Sequence, residues 1–205
     1  MVDVSEYARV KWHGNWIWGK YVSPRRIRSI AGYEKTIGIK PEEKNIFMLI
    51  RKKFKVEKEL ETATINISAD SRYKLFVNGE YIGRGINRCE EYYWYYNTYD
   101  VSELLKSGEN VIAVNARFYG RALAYYTPPK LPGKSKSNSG KGGVIFDLYL
   151  SFKDGTETWL GSDKDCKITR NKGERSDMPL KNGCLGFLEE YDTTKVPKDW
   201  NEINF

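Results

Sequence analysis

Alternating hydrophobic and polar residues predict a half-buried β-strand in the first half of the chain. In TATINISA, residues 62–69, alanine or isoleucine occupies every second position, and threonine, asparagine or serine lies between them. A strict period of two is typical of a strand with one face on the core. The sequence GVIFDLYLSF, residues 143–152, repeats this pattern with larger side chains. We interpret it as a core strand, because its apolar residues share one face.

Turn residues between apolar segments predict two β-hairpins and one helical turn. Asn78-Gly79 follows an alternating strand and provides the two residue types that best tolerate positive φ in a type I′ turn. Asp154-Gly155 predicts a second hairpin turn in the same way. Ser102 is predicted to cap a single helical turn that Gly108 ends.

Short strands with turn signals between them are predicted along most of the chain. We expect them at residues 12–18, 46–56, 63–69, 73–78, 80–83, 92–98, 111–118, 144–152, 156–161 and 166–169. This spacing predicts an all-β fold, an antiparallel jelly-roll-like β-sandwich with one or two short helical turns. The predicted core contains Ala63, Ile65, Ile67, Leu75, Val77, Val114, Phe146, Leu148 and Leu150. We expect a single domain over residues 1–205, with residues 21–43 forming a long irregular connection.

Composition and charge argue against membrane and nucleic-acid partners. No apolar run approaches the roughly 20 residues of a membrane helix, and no signal peptide is visible, so we expect a cytoplasmic protein. The net charge of +7 is compatible with nucleic-acid binding, but the basic residues are scattered. One basic cluster, residues 51–55, alternates within a predicted strand, where its charges are interpreted as the solvated face.

The sequence contains no recognisable cofactor site or catalytic site. Cys89, Cys166 and Cys184 lack the spacing of a zinc site and are expected to be reduced and buried. The single histidine, His13, has no evident metal-binding partner or nucleophile. The dense acidic clusters, at residues 90–91 and 189–192, have neighbouring side chains that point to opposite faces of a strand. We therefore predict no cofactor, no metal and no pair of glycosidase carboxylates.

Aromatic and polar residues near two strand ends suggest a surface that contacts sugar. The aromatic run at residues 92–96 can either fill a core or interface, or stack on the apolar face of a sugar. Loops at the end of a sandwich are the more probable contact surface, because binding residues are concentrated on loops. The candidate carbohydrate-binding residues are Arg84, Asn87, Arg88, Glu91, Tyr119, Arg121, Tyr125 and Tyr126.

Several sequence blocks resemble the N-terminal β-sandwich domain of bacterial α-L-rhamnosidases, in family 78 of the glycoside hydrolases. The blocks are WIW, IRKKFKVEKELETATINISADSRYKLFVNGEYIGRG, YYNTYDVSELLKSGENVIAVNARFYG, FKDGTETWLGSDKDCKI and LEEYDTTKVPKDW. The resemblance implies a galactose-binding-like sandwich. It is less specific in the second and third blocks, which are also similar to the jelly-roll domain of β-galactosidase-like family 2 enzymes.

The resemblance implies an accessory module without catalytic residues of its own. Rhamnosidases of this family carry their carboxylates on a separate helical barrel, and the sequence has no series of amphipathic helices to form one. Residues 185–205 then lead toward a missing downstream domain. The implied partners are a weakly bound rhamnose-containing carbohydrate or a downstream catalytic domain. A structural protein-interaction sandwich and the sugar-binding domain of a family 2 enzyme remain alternatives.

Overall fold

Antiparallel β-strands provide almost all of the regular structure. The computed structural model describes residues 11–19, 25–28, 34–37, 44–85, 95–120, 142–182 and 185–205. The strands in these residues are Arg25–Arg28 (β1), Glu34–Ile37 (β2), Ile46–Val56 (β3), Leu60–Ala69 (β4), Arg72–Val77 (β5), Glu80–Gly85 (β6), Asn97–Asp100 (β7), Gly108–Phe118 (β8), Val144–Phe152 (β9), Glu157–Gly161 (β10), Lys167–Arg170 (β11), Leu180–Asn182 (β12) and Gly186–Phe187 (β13). Two 3₁₀ turns span Ser102–Leu104 and Thr193–Lys195.

Two antiparallel sheets form the sandwich. The five-stranded sheet has the order β11-β3-β8-β5-β6, and the four-stranded sheet has the order β10-β9-β4-β7. Two small hairpins, β1-β2 and β12-β13, lie outside these sheets. The predicted all-β antiparallel sandwich is confirmed. The hairpin β1-β2 falls within residues 21–43, so this stretch is not irregular throughout.

The core lies between the sheets and follows the alternation of the sequence. Ile65 of β4 pairs with Leu148 of β9, and both side chains are fully buried. All nine predicted core residues are buried. Burial of alternate side chains from both sheets stabilises the sandwich through the hydrophobic effect.

The Asn-Gly turn has the predicted conformation. Asn78 has a φ of 51° and Gly79 has a φ of 90°, as a type I′ turn requires. The Asn78 side chain also donates to the carbonyl of Leu104 at 2.8 Å and accepts from the amide of Val111 at 2.8 Å. The turn is therefore attached to the neighbouring strand β8 and to the first 3₁₀ turn.

The aromatic segment at residues 12–18 is not a strand, contrary to prediction. Its ladder pairing among the described residues is a single bridge between Ile17 and Val144. The amides of His13 and Gly14 instead donate to the carboxylate of Asp147, at 2.7 and 2.6 Å. Because Asp147 is fully buried, these two bonds satisfy its carboxylate and hold the segment against β9.

Two further local predictions are corrected. Ser102 does not cap the first 3₁₀ turn, because its hydroxyl accepts from the amide of Ala63 at 2.8 Å and donates to Asp100 at 2.6 Å. Gly108 begins β8 rather than ending that turn. The strand expected at residues 92–98 is observed only as β7, from Asn97 onward; residues 92–94 lie outside the described residues.

The basic cluster at residues 51–55 is only partly a solvated face. Arg51 and Lys52 are each 8% exposed, whereas Lys53 and Lys55 are exposed. Lys52 points toward the core and donates to the carbonyl of Gly161 at 2.8 Å. Its ammonium group also pairs with Asp163, so it joins the two sheets. Period two places Lys52 on the same face as Phe54 and Val56, but it does not indicate the partners that compensate its charge.

The C-terminal residues cover part of the outer face of the five-stranded sheet. Arg51 donates to the carbonyls of Phe205 at 3.0 Å and Glu202 at 2.5 Å, and its guanidinium lies 4.9 Å from the Phe205 ring centroid. Trp200 packs edge-on against Phe76 of β5 at 5.6 Å. These contacts hold the end of the C-terminal segment, residues 171–205, on one half of the sheet face. The other half lines the cleft described below.

Candidate functional site

A cleft of about 500 Å³ lies on the outer face of the five-stranded sheet. Most of its strand residues point away from the core because they alternate with buried residues such as Leu75, Val114 and Ala116. Two residues of the C-terminal segment, Glu174 and Glu189, also line the cleft. The lining residues are Phe47, Arg72, Tyr73, Lys74, Arg84, Gly85, Asn115, Arg117, Tyr119, Glu174 and Glu189.

Arg117 is the most firmly positioned side chain of the cleft. Its guanidinium lies between two rings, 4.9 Å from the centroids of both Phe47 and Tyr119. Its Nε donates to Asn45 at 2.9 Å, and its Nη1 pairs with Glu189. Cation–π contacts and a charge-assisted hydrogen bond therefore hold the guanidinium plane in one orientation, with 11% of the side chain exposed.

Two buried polar atoms in the cleft have no hydrogen-bond partner. They are Nη2 of Arg117, a donor, and Oδ1 of Asn115, an acceptor. Such atoms are destabilising when left unsatisfied, by about 1 to 3 kcal/mol each. They lie on the same strand and line the same cleft, two positions apart. Both atoms are closed to solvent, so a ligand group such as a sugar hydroxyl reaches them only after a side chain turns toward the cleft.

The described residues of the cleft are predominantly positive. Four of them are cations, Arg72, Lys74, Arg84 and Arg117, and two are glutamates. Burial raises the pKa of the Glu174 carboxyl, and the charge of Glu189 raises it further, against the opposing effect of Lys74 and Arg117. Glu189 itself is bound to Arg117. The arrangement favours a polar or anionic ligand over an apolar one.

The structure brings together the two sequence-predicted site residues that it describes. Arg84 and Tyr119 both line the cleft. The Tyr119 ring is only 2% exposed, so it supports Arg117 and offers no open face for stacking on a sugar. The remaining candidates lie outside the described residues: Asn87, Arg88, Glu91, Arg121, Tyr125 and Tyr126. Both segments that carry them follow directly after the cleft, at Gly85 and Gly120.

The C-terminal acidic cluster has its carboxylates in three separate environments. Glu189 faces the cleft, whereas Glu190 pairs with Arg175 at 3.1 Å. Asp192 accepts from the amide of Thr194 at 3.0 Å and so begins the second 3₁₀ turn. Within the described residues there is no group of three potential metal ligands, and no helix there is long and apolar enough to cross a membrane.

The cysteine expectation is testable at one position. Cys166 is a free, partly buried thiol, and burial raises its pKa. A raised pKa disfavours the reactive thiolate, in keeping with a structural role. Cys89 and Cys184 lie outside the described residues.

Sequence reasoning found Arg84 of β6 but missed the other strand residues of the cleft. Asn115 and Arg117 alternate with buried residues of β8, so period two places them on an outer face. The sequence gives no signal for which part of that face stays open. The C-terminal segment decides this, because it packs over Arg51 and Phe76 and leaves Asn115 and Arg117 beside a cleft.

Comparison with known proteins assigns the chain to a family. A family model described as the α-L-rhamnosidase N-terminal domain matches residues 58–205. The chain belongs to this family. An α-L-rhamnosidase of Formosa agariphila is 28% identical to this N-terminal domain over 162 residues, which are 76% of the chain and 16% of that protein.

Solved structures agree with this family in fold. A family 78 rhamnosidase of Bacillus sp. GL1 superposes on the N-terminal domain with a TM-score of 0.71 and 30% identity, over 95% of this chain and 17% of that one. A Pleurotus ostreatus lectin superposes with a TM-score of 0.51 and 20% identity, over 93% of this chain and 44% of the lectin, and shows the fold alone. The chain spans 16% and 17% of the two rhamnosidases.

Proposed function

We propose that this N-terminal domain is a non-catalytic accessory module of an α-L-rhamnosidase-like glycoside hydrolase, which recognises carbohydrate in the cleft of the five-stranded sheet. The observation that carries the proposal is the pair of unpartnered buried atoms, Asn115 Oδ1 and Arg117 Nη2, in a polar cleft. The family of the chain supports the context, since its relatives are named as rhamnosidases. The carbohydrate expected from that context contains rhamnose.

The cleft has the parts that a sugar site needs. After the Asn115 side chain turns toward the cleft, a hydroxyl group of the sugar donates to its Oδ1, which no described residue now satisfies. The guanidinium is preorganised by Phe47 and Tyr119, so little side-chain entropy is lost on binding. Water must leave each hydroxyl before these bonds form, so we expect weak binding, with a Kd on the order of 0.1 to 1 mM.

The described carboxylates of the cleft do not have the environment of a glycosidase pair. A glycosidase needs one carboxylic acid and one carboxylate on either side of the bond that breaks. Both glutamates line the cleft, and Glu189 is held in an ion pair with Arg117, so it is not free to act on a glycosidic bond. The proposed module therefore binds sugar without cleaving it, and hydrolysis belongs to another part of a rhamnosidase.

An NMR titration tests the recognition role. We expect L-rhamnose and rhamnose-containing oligosaccharides, at up to about 10 mM, to shift the resonances of Asn115 and Arg117 selectively. Asn115→Ala removes one acceptor and is expected to weaken binding several-fold. The matched control is Asn66→Ala, the same change at a half-buried position on the outer face of the other sheet. If no cleft resonance moves, recognition by the isolated domain is refuted and support of a catalytic domain replaces it.

A turnover assay tests the absence of catalysis. We expect no release of aryl alcohol from an aryl α-L-rhamnoside by the purified chain. Turnover that co-purifies with the protein and is lost in both Glu174→Gln and Glu189→Gln would refute the non-catalytic role.

A further inference from the structure

The excess positive charge of the cleft points to a ligand class that is narrower than carbohydrate in general. Building on the proposed function, we infer that the cleft prefers an acidic saccharide, one that carries a uronic acid carboxylate, over a neutral sugar. Among the described residues, four cations and two carboxylates line the cleft, and the cations lie on three adjacent strands, β5, β6 and β8.

Like charges lie directly opposite each other in this sheet. Lys74 of β5 is the cross-strand partner of Arg84 of β6, and Arg72 of β5 is the partner of Arg117 of β8. Like charges in directly opposed positions destabilise a sheet. Arg117 is already compensated by Glu189, so the pair that a bound anion relieves is Lys74 and Arg84.

The carboxylates of the cleft neutralise this charge incompletely. Glu189 is committed to Arg117, and Glu174 is partly buried, so its ionised form is disfavoured. Lys74 and Arg84 are exposed and form no ion pair with any described residue. The surplus charge therefore lies on β5 and β6, next to the two unpartnered atoms of β8.

A carboxylate-bearing sugar matches both the cations on β5 and β6 and the polar residues on β8. Its hydroxyls can bond to Asn115 once that side chain turns toward the cleft, and its planar carboxylate can form a bidentate pair with the guanidinium of Arg84. A volume of about 500 Å³ suits a mono- or disaccharide unit. The same volume is small for the extended phosphate contacts that bind a nucleic-acid strand.

The test compares two ligands that differ only in the carboxylate. Methyl β-D-glucuronide and methyl β-D-glucoside are titrated into the full chain and followed by NMR, with L-rhamnose as a third ligand. We expect the glucuronide to bind about tenfold more tightly than the glucoside, as one charge-assisted hydrogen bond allows. Raising NaCl to about 0.5 M should reduce this preference, because the Lys74 and Arg84 charges are exposed to screening.

Two double variants test which residues cause the preference for glucuronide. The double variant Lys74→Gln/Arg84→Gln should abolish the preference for glucuronide and leave the circular dichroism spectrum unchanged, since both side chains are exposed. The matched control is Lys53→Gln/Lys55→Gln, which removes two exposed charges from β3 outside the cleft. It should retain the preference.

The outcomes separate this inference from the proposed function. Equal affinity for glucuronide and glucoside, with rhamnose still bound, overturns the acidic preference alone. A glucuronide preference that survives Lys74→Gln/Arg84→Gln overturns it as well. Sodium acetate or a short single-stranded oligonucleotide that competes as strongly as glucuronide shows a general anion site and overturns it. No shift with any sugar overturns both proposals.

Discussion

Replacement of Leu148 by alanine tests whether the sandwich core is assembled as described. Leu148 is fully buried at the centre of β9, and its cross-strand partners are Ile65 and Leu160. The change removes three buried carbon atoms, which accounts for about 2.4 kcal/mol of transfer free energy. The neighbouring strands are hydrogen-bonded on both sides and cannot collapse fully, so the cavity adds about 1 kcal/mol. We expect a total loss of about 3 to 4 kcal/mol.

Urea denaturation followed by circular dichroism and tryptophan fluorescence measures this loss. The denaturation midpoint should fall without a change in slope, and the Tm should fall by about 10 °C for a domain of this size. The control is Ser151→Ala on the same strand, on the outer face, with an expected change within about 0.5 kcal/mol. A loss below about 1 kcal/mol for Leu148→Ala would mean that the Leu148 side chain does not pack between the two sheets.

Two further predictions concern the C-terminal segment. Arg51→Met removes the donors to the carbonyls of Glu202 and Phe205, so the free energy of unfolding should fall by about 2 kcal/mol, and amide exchange at Phe205 should accelerate. Glu174→Gln should stabilise the domain near pH 7 and have little effect near pH 4. Because burial raises the folded-state pKa of Glu174, its stabilising contribution is complete below the unfolded-state pKa and is lost as the pH rises through the folded-state pKa. Thermal unfolding of variant and wild type from about pH 4 to pH 7 measures this difference.

Each of these two predictions has an outcome that would contradict it. Lys53→Met, an exposed change on the same face of β3, should leave amide exchange at Phe205 as it is; equal acceleration in Lys53→Met and Arg51→Met would contradict the anchoring contact. A Tm difference for Glu174→Gln that stays constant with pH would show that this carboxyl has the same pKa in the folded and unfolded states.

The sequence by itself determined the strands whose alternation is strict. In β4 and β9 every second side chain is apolar, and a one-residue shift would move all of them from the core to solvent. The positive φ angles at Asn78 and Gly79 are likewise a local property, because these residue types tolerate that conformation with little strain. Such features are decided within a few residues, so a linear pattern is sufficient to predict them.

Only the tertiary structure decided the environment of polar residues inside regular strands. Alternation places Lys52 on the core-facing side of β3 with Phe54, but only the fold provides the partners that stabilise its charge there, the carbonyl of Gly161 and the carboxylate of Asp163. The aromatic residues 12–18 have the composition of a strand, but the buried carboxylate of Asp147 binds their backbone instead. Each outcome depends on a partner more than 100 residues away.

In the candidate site, too, the sequence determines some features and the tertiary structure determines others. Alternation along β8 places Asn115 and Arg117 on an outer face, which the sequence determines. Whether that face is covered or open depends on where the C-terminal segment lies, and the segment is held by Arg51 on β3. The cleft exists because long-range hydrogen bonds and packing cover one half of the sheet and leave two polar atoms unpartnered in the other. No periodic pattern in the sequence indicates which half of the sheet face is covered.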